Sequence, residues 1–248
     1  MKPTIEFYTL FQFLYDHFNK ELFDDNLPSC MIVITRKNNT FGYYSKERWV
    51  NVAEKRTDEI AINPMFFSQY PLIEMLQTLC HEMCHLWQEH FGTPSRRTYH
   101  NAEWGEKMKS IGLFPSSTGK EGGKETGQQM MEYPIENGKF LRVCKDLVKN
   151  KNFNSLWYDR TTTPQLINQS SAVLPEEPHE LIVSNIKESE ANLLYTRFEN
   201  KNPIVIIKQT DASKSKYSCP KCGLNVWGKP SLNIICGECN ARLELLEN

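Results

Sequence analysis

The pentapeptide His81-Glu82-Met83-Cys84-His85 lies within residues 71–90, a strongly apolar stretch with no glycine and no proline after its first position. That stretch predicts one buried helix, stopped by Gly92. Residues four apart share a helix face, so the imidazoles of His81 and His85 can reach one metal ion. Glu82, offset by one position, can stand beside the water at such an ion and act as general base. The alternative is chance occurrence of a short pattern in an ordinary core helix. The surrounding residues decide between the two.

A catalytic zinc site uses three protein ligands and keeps one position open. The other histidines are His17, His90, His100 and His179. His90 follows His81 by nine residues, which turns it about 180° away on a continuous helix, so it is expected as an exposed residue near the helix end. The extended metzincin pattern is excluded, because Gln88 and Phe91 stand where it needs Gly and His. His100 is the better third ligand. Residues 92–99 form a loop that turns the chain back, and residues 100–112 read as a second helix with Trp104, Met108 and Ile111 on one face. Glu103, one turn later, is the rival ligand, and otherwise a partner for a ligand imidazole or for the helix start.

Four pieces, in this order and spacing, resemble the SprT-like zinc metalloproteases, the group that includes the Spartan DNA–protein crosslink proteases. They are Phe18-Asn-Lys-Glu-Leu-Phe-Asp-Asp-Asn-Leu-Pro28, Ile60-Ala-Ile-Asn-Pro64, the His81–His85 motif and His100-Asn-Ala-Glu-Trp104. The resemblance covers residues 5–115 and implies His81, His85 and His100 as ligands of a catalytic zinc, with Glu82 as catalytic base.

A second metal signal lies near the C-terminus. Cys219-Pro-Lys-Cys222 and Cys236-Gly-Glu-Cys239 are separated by thirteen residues. Each pair forms a knuckle presenting two thiolates, and two knuckles make a closed tetrahedral cage for a structural zinc. Gly223 and Gly237 sit at the knuckle turns, where positive φ is cheap. Residues 224–235 between the pairs read as a short hairpin, so the module is a zinc ribbon. A redox role fits a lone C-x-x-C better than two at this spacing.

The fold class expected is α+β. Residues 4–23 carry a helical apolar stripe, and residues 31–35, 41–44 and 59–63 read as strands. A three-stranded sheet packed with helices, in the zincin-like SprT manner, would support the metal helix. Three segments follow: a metalloprotease core at 1–115, a Gly-rich loop and insert at 116–210, and the ribbon at 211–248. Residues 116–127 read as a mobile surface segment, either a plain linker or a flap over the cleft. Residues 128–140 read as a hairpin turning at Asn137-Gly138. Residues 181–183 and 204–207 read as strands around a helix at 188–198.

At 248 residues the chain can bury one good core and carry a small module. Its net charge of −1 gives no global case for nucleic acid. The first residues lack a leader pattern and no apolar run spans a membrane, so a cytoplasmic or nucleoid-associated protein without membrane contact is expected. Cys30, Cys80, Cys84 and Cys144 read as buried free thiols. Within the ribbon, Lys214, Lys216, Lys221 and Lys229 interleave with Tyr217 and Trp227, a pattern able to neutralise phosphates and stack an unpaired base. It is also what solubility alone requires. Tyr43, Tyr44, Tyr99, Arg96 and Arg97 are candidates for stabilising an oxyanion. Three functions remain: a zinc endopeptidase acting on proteins, including DNA-crosslinked ones; a DNA- or protein-binding adaptor with structural metal sites; and hydrolysis of a non-protein amide.

Overall fold

The computed structural model describes residues 2–37, 40–68, 70–96, 98–150, 153–162, 193–195, 204–205, 215–229 and 231–246. The chain divides into two compact units, Met1–Val205 and Ile206–Asn248.

The first unit begins with α1, Pro3–Phe23, which buries Phe7, Leu10, Phe11, Leu14, Phe18 and Leu22 along one stripe. It ends where Asp24 turns left-handed, at φ 56°, and its N–H closes on the Asn19 carbonyl. Three strands follow: β1 (Met31–Ile34), β2 (Gly42–Val50) and β3 (Arg56–Ile62), arranged β1-β3-β2. The central strand runs parallel to β1 and antiparallel to β2. Ile60, Ala61 and Ile62 are fully buried, as a strand covered on both faces requires. β2 runs well past the apolar tetrad expected for it. Its outer half, with Lys46, Glu47 and Arg48, is exposed and irregular between Ser45 and Trp49, so no burial pattern marks it in sequence.

A short 3-10 turn, Pro64–Phe66, leads to α2, Leu72–Phe91. Leu76, Leu79, Cys80, Met83, Cys84 and Leu86 of α2 all lie in the core. Each such aliphatic side chain contributes about 1.5–3 kcal/mol by burial, and Leu79→Ala would forfeit that and leave a cavity. Gly92 ends the helix as expected, its N–H on the Gln88 carbonyl. α3 spans Ala102–Ile111, starting two residues later than expected, because Asn101 takes extended backbone and caps the helix by accepting from the Trp104 N–H at 3.0 Å.

β4 (Leu113–Ser116) pairs antiparallel with β5 (Met131–Pro134). Residues 116–127 are therefore the closed connection of a two-stranded sheet. Ser117 N–H reaches the Lys124 carbonyl at 2.8 Å, and Ser116 Oγ donates to the Lys120 carbonyl at 2.6 Å. The hairpin expected at 128–140 is not formed. Asn137-Gly138 does turn, with Gly138 N–H on the Ile135 carbonyl, but it leads into α4, Lys139–Asn150. Phe140, Leu141, Cys144 and Leu147 recur at helical spacing and are buried. With Phe153, Leu156 and Leu194 they join the same core as α1 and α2, so this region is part of the first unit's core. Residues 193–195 are helical, and β6 (Thr161–Thr162) pairs in parallel with β7 (Ile204–Val205). The strand expected at 181–183, and His179, lie outside the described residues.

In the second unit, β8 (Ser215–Ser218), β9 (Asn225–Gly228) and β10 (Glu244–Leu246) form a sheet ordered β10-β8-β9. The hairpin is thus built across the first knuckle, from β8 to β9, and does not lie within 224–235 as expected. Ile235 instead bridges Arg242 across the second knuckle.

Candidate active site and metal centres

α2 presents His81 and His85 on one face, and the loop after it brings His100 to meet them. His100 Nε2 lies 3.2 Å from His81 Nε2 and 3.1 Å from His85 Nε2. Three nitrogens placed about 2.0–2.1 Å from one tetrahedral ion would be separated by about 3.3 Å, so the spacing fits a zinc-sized ion. All three imidazoles pack on Trp104, with centroid separations of 4.7, 5.3 and 4.4 Å for His81, His85 and His100. Trp104 is fully buried and forms an apolar floor that fixes the ring planes.

His100 is held outside any helix. It forms an isolated antiparallel bridge with Gly127: its N–H donates to the Gly127 carbonyl at 2.7 Å, and its carbonyl accepts from the Gly127 N–H at 3.1 Å. Its Nδ1 also lies 3.1 Å from the Gly127 carbonyl, which leaves Nε2 free for a metal. The Gly-rich connection, read from sequence as linker or flap, thereby orients the third imidazole.

Glu103, the rival ligand, is committed elsewhere. Its Oε2 accepts from Gln88 Nε2 at 2.7 Å and from the Thr93 N–H at 2.6 Å. Gln88 also donates to Asn101 Oδ1 at 2.7 Å, so these residues tie the end of α2 to the start of α3 beside His100.

Sequence reasoning missed Glu132. From β5 its Oε2 reaches to 2.8 Å from His81 Nδ1, the carboxylate–imidazole arrangement that orients metal-bound histidines. Burial lowers the proton affinity of His81, but the charge and hydrogen bond of Glu132 outweigh it and the net pKa is raised. Burial, reinforced by His81, pushes His100 down to about 4. Burial and the other two imidazoles hold His85 well below the usual histidine range. The lowered values of His85 and His100 favour the neutral imidazole that metal ligation needs.

Glu82 is buried among these groups. Burial raises its carboxyl to about 7, with Glu132 adding to the rise and His81 and the Tyr44 backbone N–H opposing it. A carboxylate balanced near neutrality is matched to general-base work. The sheet approaches very closely here: a Cβ on Gly42 would lie 2.7 Å from the Ala61 carbonyl, 3.0 Å from Thr78 Cγ2 and 3.4 Å from Glu82 Cγ. A side chain at 42 would lift β2 off the helix that carries Glu82.

His90 is exposed as expected, and also bonded. Its Nε2 lies 2.6 Å from Asp58 Oδ2, which accepts from the Tyr44 hydroxyl at 3.0 Å. Of the oxyanion candidates, Tyr44 thus spends its hydroxyl on Asp58. The Tyr43 ring carries Lys37 at 5.1 Å, and Arg96 packs on Tyr99 at 5.2 Å, next to His100. Arg97 lies outside the described residues. Cys80, Cys84 and Cys144 are buried free thiols and Cys30 is half-buried; burial raises all four pKa values.

In the second unit the sulfurs of Cys219, Cys222, Cys236 and Cys239 all lie within 4.8 Å of one another, with Cys222 and Cys236 at 3.6 Å. An edge of about 3.8 Å is expected for a tetrahedral zinc–thiolate cage. The knuckles repeat each other bond for bond. Gly223 N–H closes on the Cys219 carbonyl at 2.9 Å, and Asn240 N–H on the Cys236 carbonyl at 2.9 Å. Cys219 N–H and Cys236 N–H donate to the Leu224 and Ala241 carbonyls, both at 2.8 Å. The left-handed residues are Gly223 at φ 74° and Asn240 at φ 50°. Gly237 is not left-handed, and Asn240 takes the role expected of it. Tyr217 is buried, its hydroxyl donating to the Lys229 carbonyl at 2.7 Å and accepting from the Leu232 N–H, so it is not free to stack a base. Trp227 is 62% exposed, with Lys216 Nζ 5.9 Å from its ring centroid. Lys214 lies outside the described residues.

Among the described residues no helix is long and apolar enough to cross a membrane. Comparison with known proteins gives one family: residues 11–120 match the model of the SprT-like family. A relative from Salmonella typhimurium, described as an uncharacterized protein in the mucB 3′ region, is 46% identical over 48 residues, covering 19% of this chain and 65% of that protein. The chain thus spans just under two thirds of that relative's length. No solved structure matches. The matched segment contains the three convergent imidazoles, which could hold a metal ion, and Glu82, and residues 11–120 of this chain are similar to the SprT-like family.

Proposed function

We propose that the chain is a zinc-dependent endopeptidase, with His81, His85 and His100 holding a catalytic zinc, Glu82 as general base, and a second, structural zinc on Cys219, Cys222, Cys236 and Cys239. One observation carries the reading: three ligand nitrogens converge beside a buried glutamate whose pKa is raised to about 7. Zinc at this position supplies Lewis-acid polarisation of a substrate carbonyl and acidifies the attacking water. Glu82 accepts the proton of that water as its oxygen bonds to the carbonyl carbon, then delivers it to the departing amine as the C–N bond breaks. Glu132 keeps the His81 ring oriented, and Trp104 excludes water from behind the three imidazoles.

The substrates proposed are proteins, including those crosslinked to DNA. Support for DNA contact is the exposed Trp227 beside Lys216, with exposed Lys221 and Lys229 on the same module. Affinity for single-stranded DNA that falls with salt, and drops in Trp227→Ala, is the expected result; no measurable binding removes this part of the proposal. The adaptor reading does not need a buried general base.

Elemental analysis of wild type and His100→Ala tests the metal assignment, with two zinc ions expected in the first and one in the second. Glu82→Gln should keep both ions and lose proteolysis of an unfolded protein substrate. Full activity in that variant sinks the assignment. Two intact zinc sites without cleavage of any protein favour the adaptor, and turnover of small amides alone favours non-protein amide hydrolysis.

A further inference from the structure

The face of α2 that carries His81 and His85 does not end with them. Gln88 comes three residues after His85 and seven after His81, so it continues the same stripe about one turn further along. It is buried, at 3% exposure. A buried amide costs free energy unless it is bonded, and the Gln88 amide is bonded twice. Its Nε2 donates to Asn101 Oδ1 and to Glu103 Oε2, each at 2.7 Å. The two acceptors belong to residues one and three positions after His100.

The same two side chains also grip the chain before His100. Glu103 Oε2 accepts from the Thr93 N–H at 2.6 Å, and Asn101 Nδ2 donates to the Thr93 carbonyl at 3.1 Å. The seat has no spare room: a Cβ on Gly92 would lie 2.6 Å from Glu103 Oε2. Between Thr93 and His100 the loop closes on itself, with Ser95 Oγ donating to the Tyr99 carbonyl at 2.5 Å, and Thr98 takes φ 65°. A β-branched residue in the left-handed region is strained, and such strain persists only where surrounding contacts impose it. The loop that delivers His100 is thus held in shape from outside, and Gln88 is the point on α2 that holds it.

We propose that Gln88 is a positioning residue for the third ligand. Through Asn101 and Glu103, its amide sets residues 92–100 so that His100 Nε2 meets His81 and His85 before an ion is bound. The proposal rests on the metal-binding part of the endopeptidase reading and deepens it. A site whose competent arrangement is populated only in part binds more weakly by that fraction. The Gln88 clasp keeps the fraction near one, and so governs the affinity of this site without contributing a donor atom to it.

The test reads metal affinity and backbone exposure in place of turnover. The full-length chain is compared with Gln88→Met, which keeps the length and helix propensity of the side chain and donates nothing. Chelator competition should show zinc held about 10- to 100-fold less tightly at the three-histidine site of the variant, with the four-cysteine site unchanged. In ion-free protein the amides of Thr93 and His100 should exchange with solvent deuterium about tenfold faster in the variant, while those of Leu79 and Met83 are unchanged. A paired substitution guards against a variant that merely unfolds. Gln88→Glu sets two carboxylates against each other, and adding Glu103→Gln restores a donor and an acceptor across the same gap, so affinity lost in the first should largely return in the second. Unchanged affinity in Gln88→Met, equal loss at both metal sites, unchanged exchange at Thr93 and His100, or no recovery in the paired variant each overturn the proposal. A wild type that holds one ion per chain removes the metal reading and the proposal with it. Two ions, weakened at one site by Gln88→Met but without cleavage of any protein, leave the positioning role standing and remove the endopeptidase.

Discussion

Glu132 Oε2 lies 2.8 Å from His81 Nδ1, although the two residues are fifty-one positions apart in the chain. The contact fixes which nitrogen of His81 would face an ion held by the three imidazoles, and it makes that ring more basic. Glu132→Gln should weaken zinc binding at the three-histidine site by about 10- to 100-fold, with the four-cysteine site unaffected. Competition with a chromophoric chelator, read as two separate release phases, measures it.

Glu82 must be deprotonated to accept a proton. With its carboxyl at about 7, kcat/KM should fall about tenfold per unit as pH drops below that value and level off above it. An acid limb that persists unchanged in Glu82→Asp would place the titrating group elsewhere.

Glu74 offers a test of stability that needs no substrate. Its pKa is raised in the folded chain from 4.5 to about 7, so the folded state holds its proton more tightly than the unfolded state does. Stability is therefore favoured below pH 4.5 and lost as pH rises towards 7. Glu74→Gln cannot lose it, so its advantage over wild type should widen by roughly 2 kcal/mol between pH 5.5 and 8. Urea unfolding at the two pH values gives the number, and a constant difference would show that Glu74 is not strained by ionisation.

The two knuckle glycines, Gly223 and Gly237, make a matched pair. Gly223→Ala places a Cβ at φ 74°, which costs about 1–2 kcal/mol and should weaken zinc binding there by roughly tenfold. Gly237→Ala should be silent, because that residue is not left-handed and a Cβ there meets nothing within 4 Å. Cobalt titration followed through its thiolate absorption compares them directly.

Trp104 supports all three ligands while packing in the core. Trp104→Ala should cost about 3–5 kcal/mol and release the catalytic-site ion, whereas Trp104→Phe should retain most of both. Thermal melts with and without zinc distinguish packing loss from ligand disorder.

How far these features could be read in advance follows from how local their causes are. The His81–His85 pair is encoded by helical spacing alone, and the knuckles by two C-x-x-C repeats. Glu132 could not be read because its role depends on β5 pairing with β4 across a loop whose composition mimics a linker. The helix at Lys139–Asn150 was legible, since Phe140, Leu141, Cys144 and Leu147 keep a helical period; the Asn137-Gly138 turn before it suggested a hairpin instead. Asn240 was missed for the opposite reason: Gly237 is the better left-handed residue by type, but the repeat places the turn four residues after Cys236.

The bridge between His100 and Gly127 makes the proposed third metal ligand one rung of a ladder. Whatever seats the connection between β4 and β5 also seats the third imidazole, and whatever ion holds that imidazole in turn secures the connection. Lengthening or shortening this connection by a residue or two would therefore act as a rheostat on metal occupancy without touching any donor atom. Conversely, stripping the ion should open the backbone near Gly127 to cleavage by an added protease before the rest of the core yields.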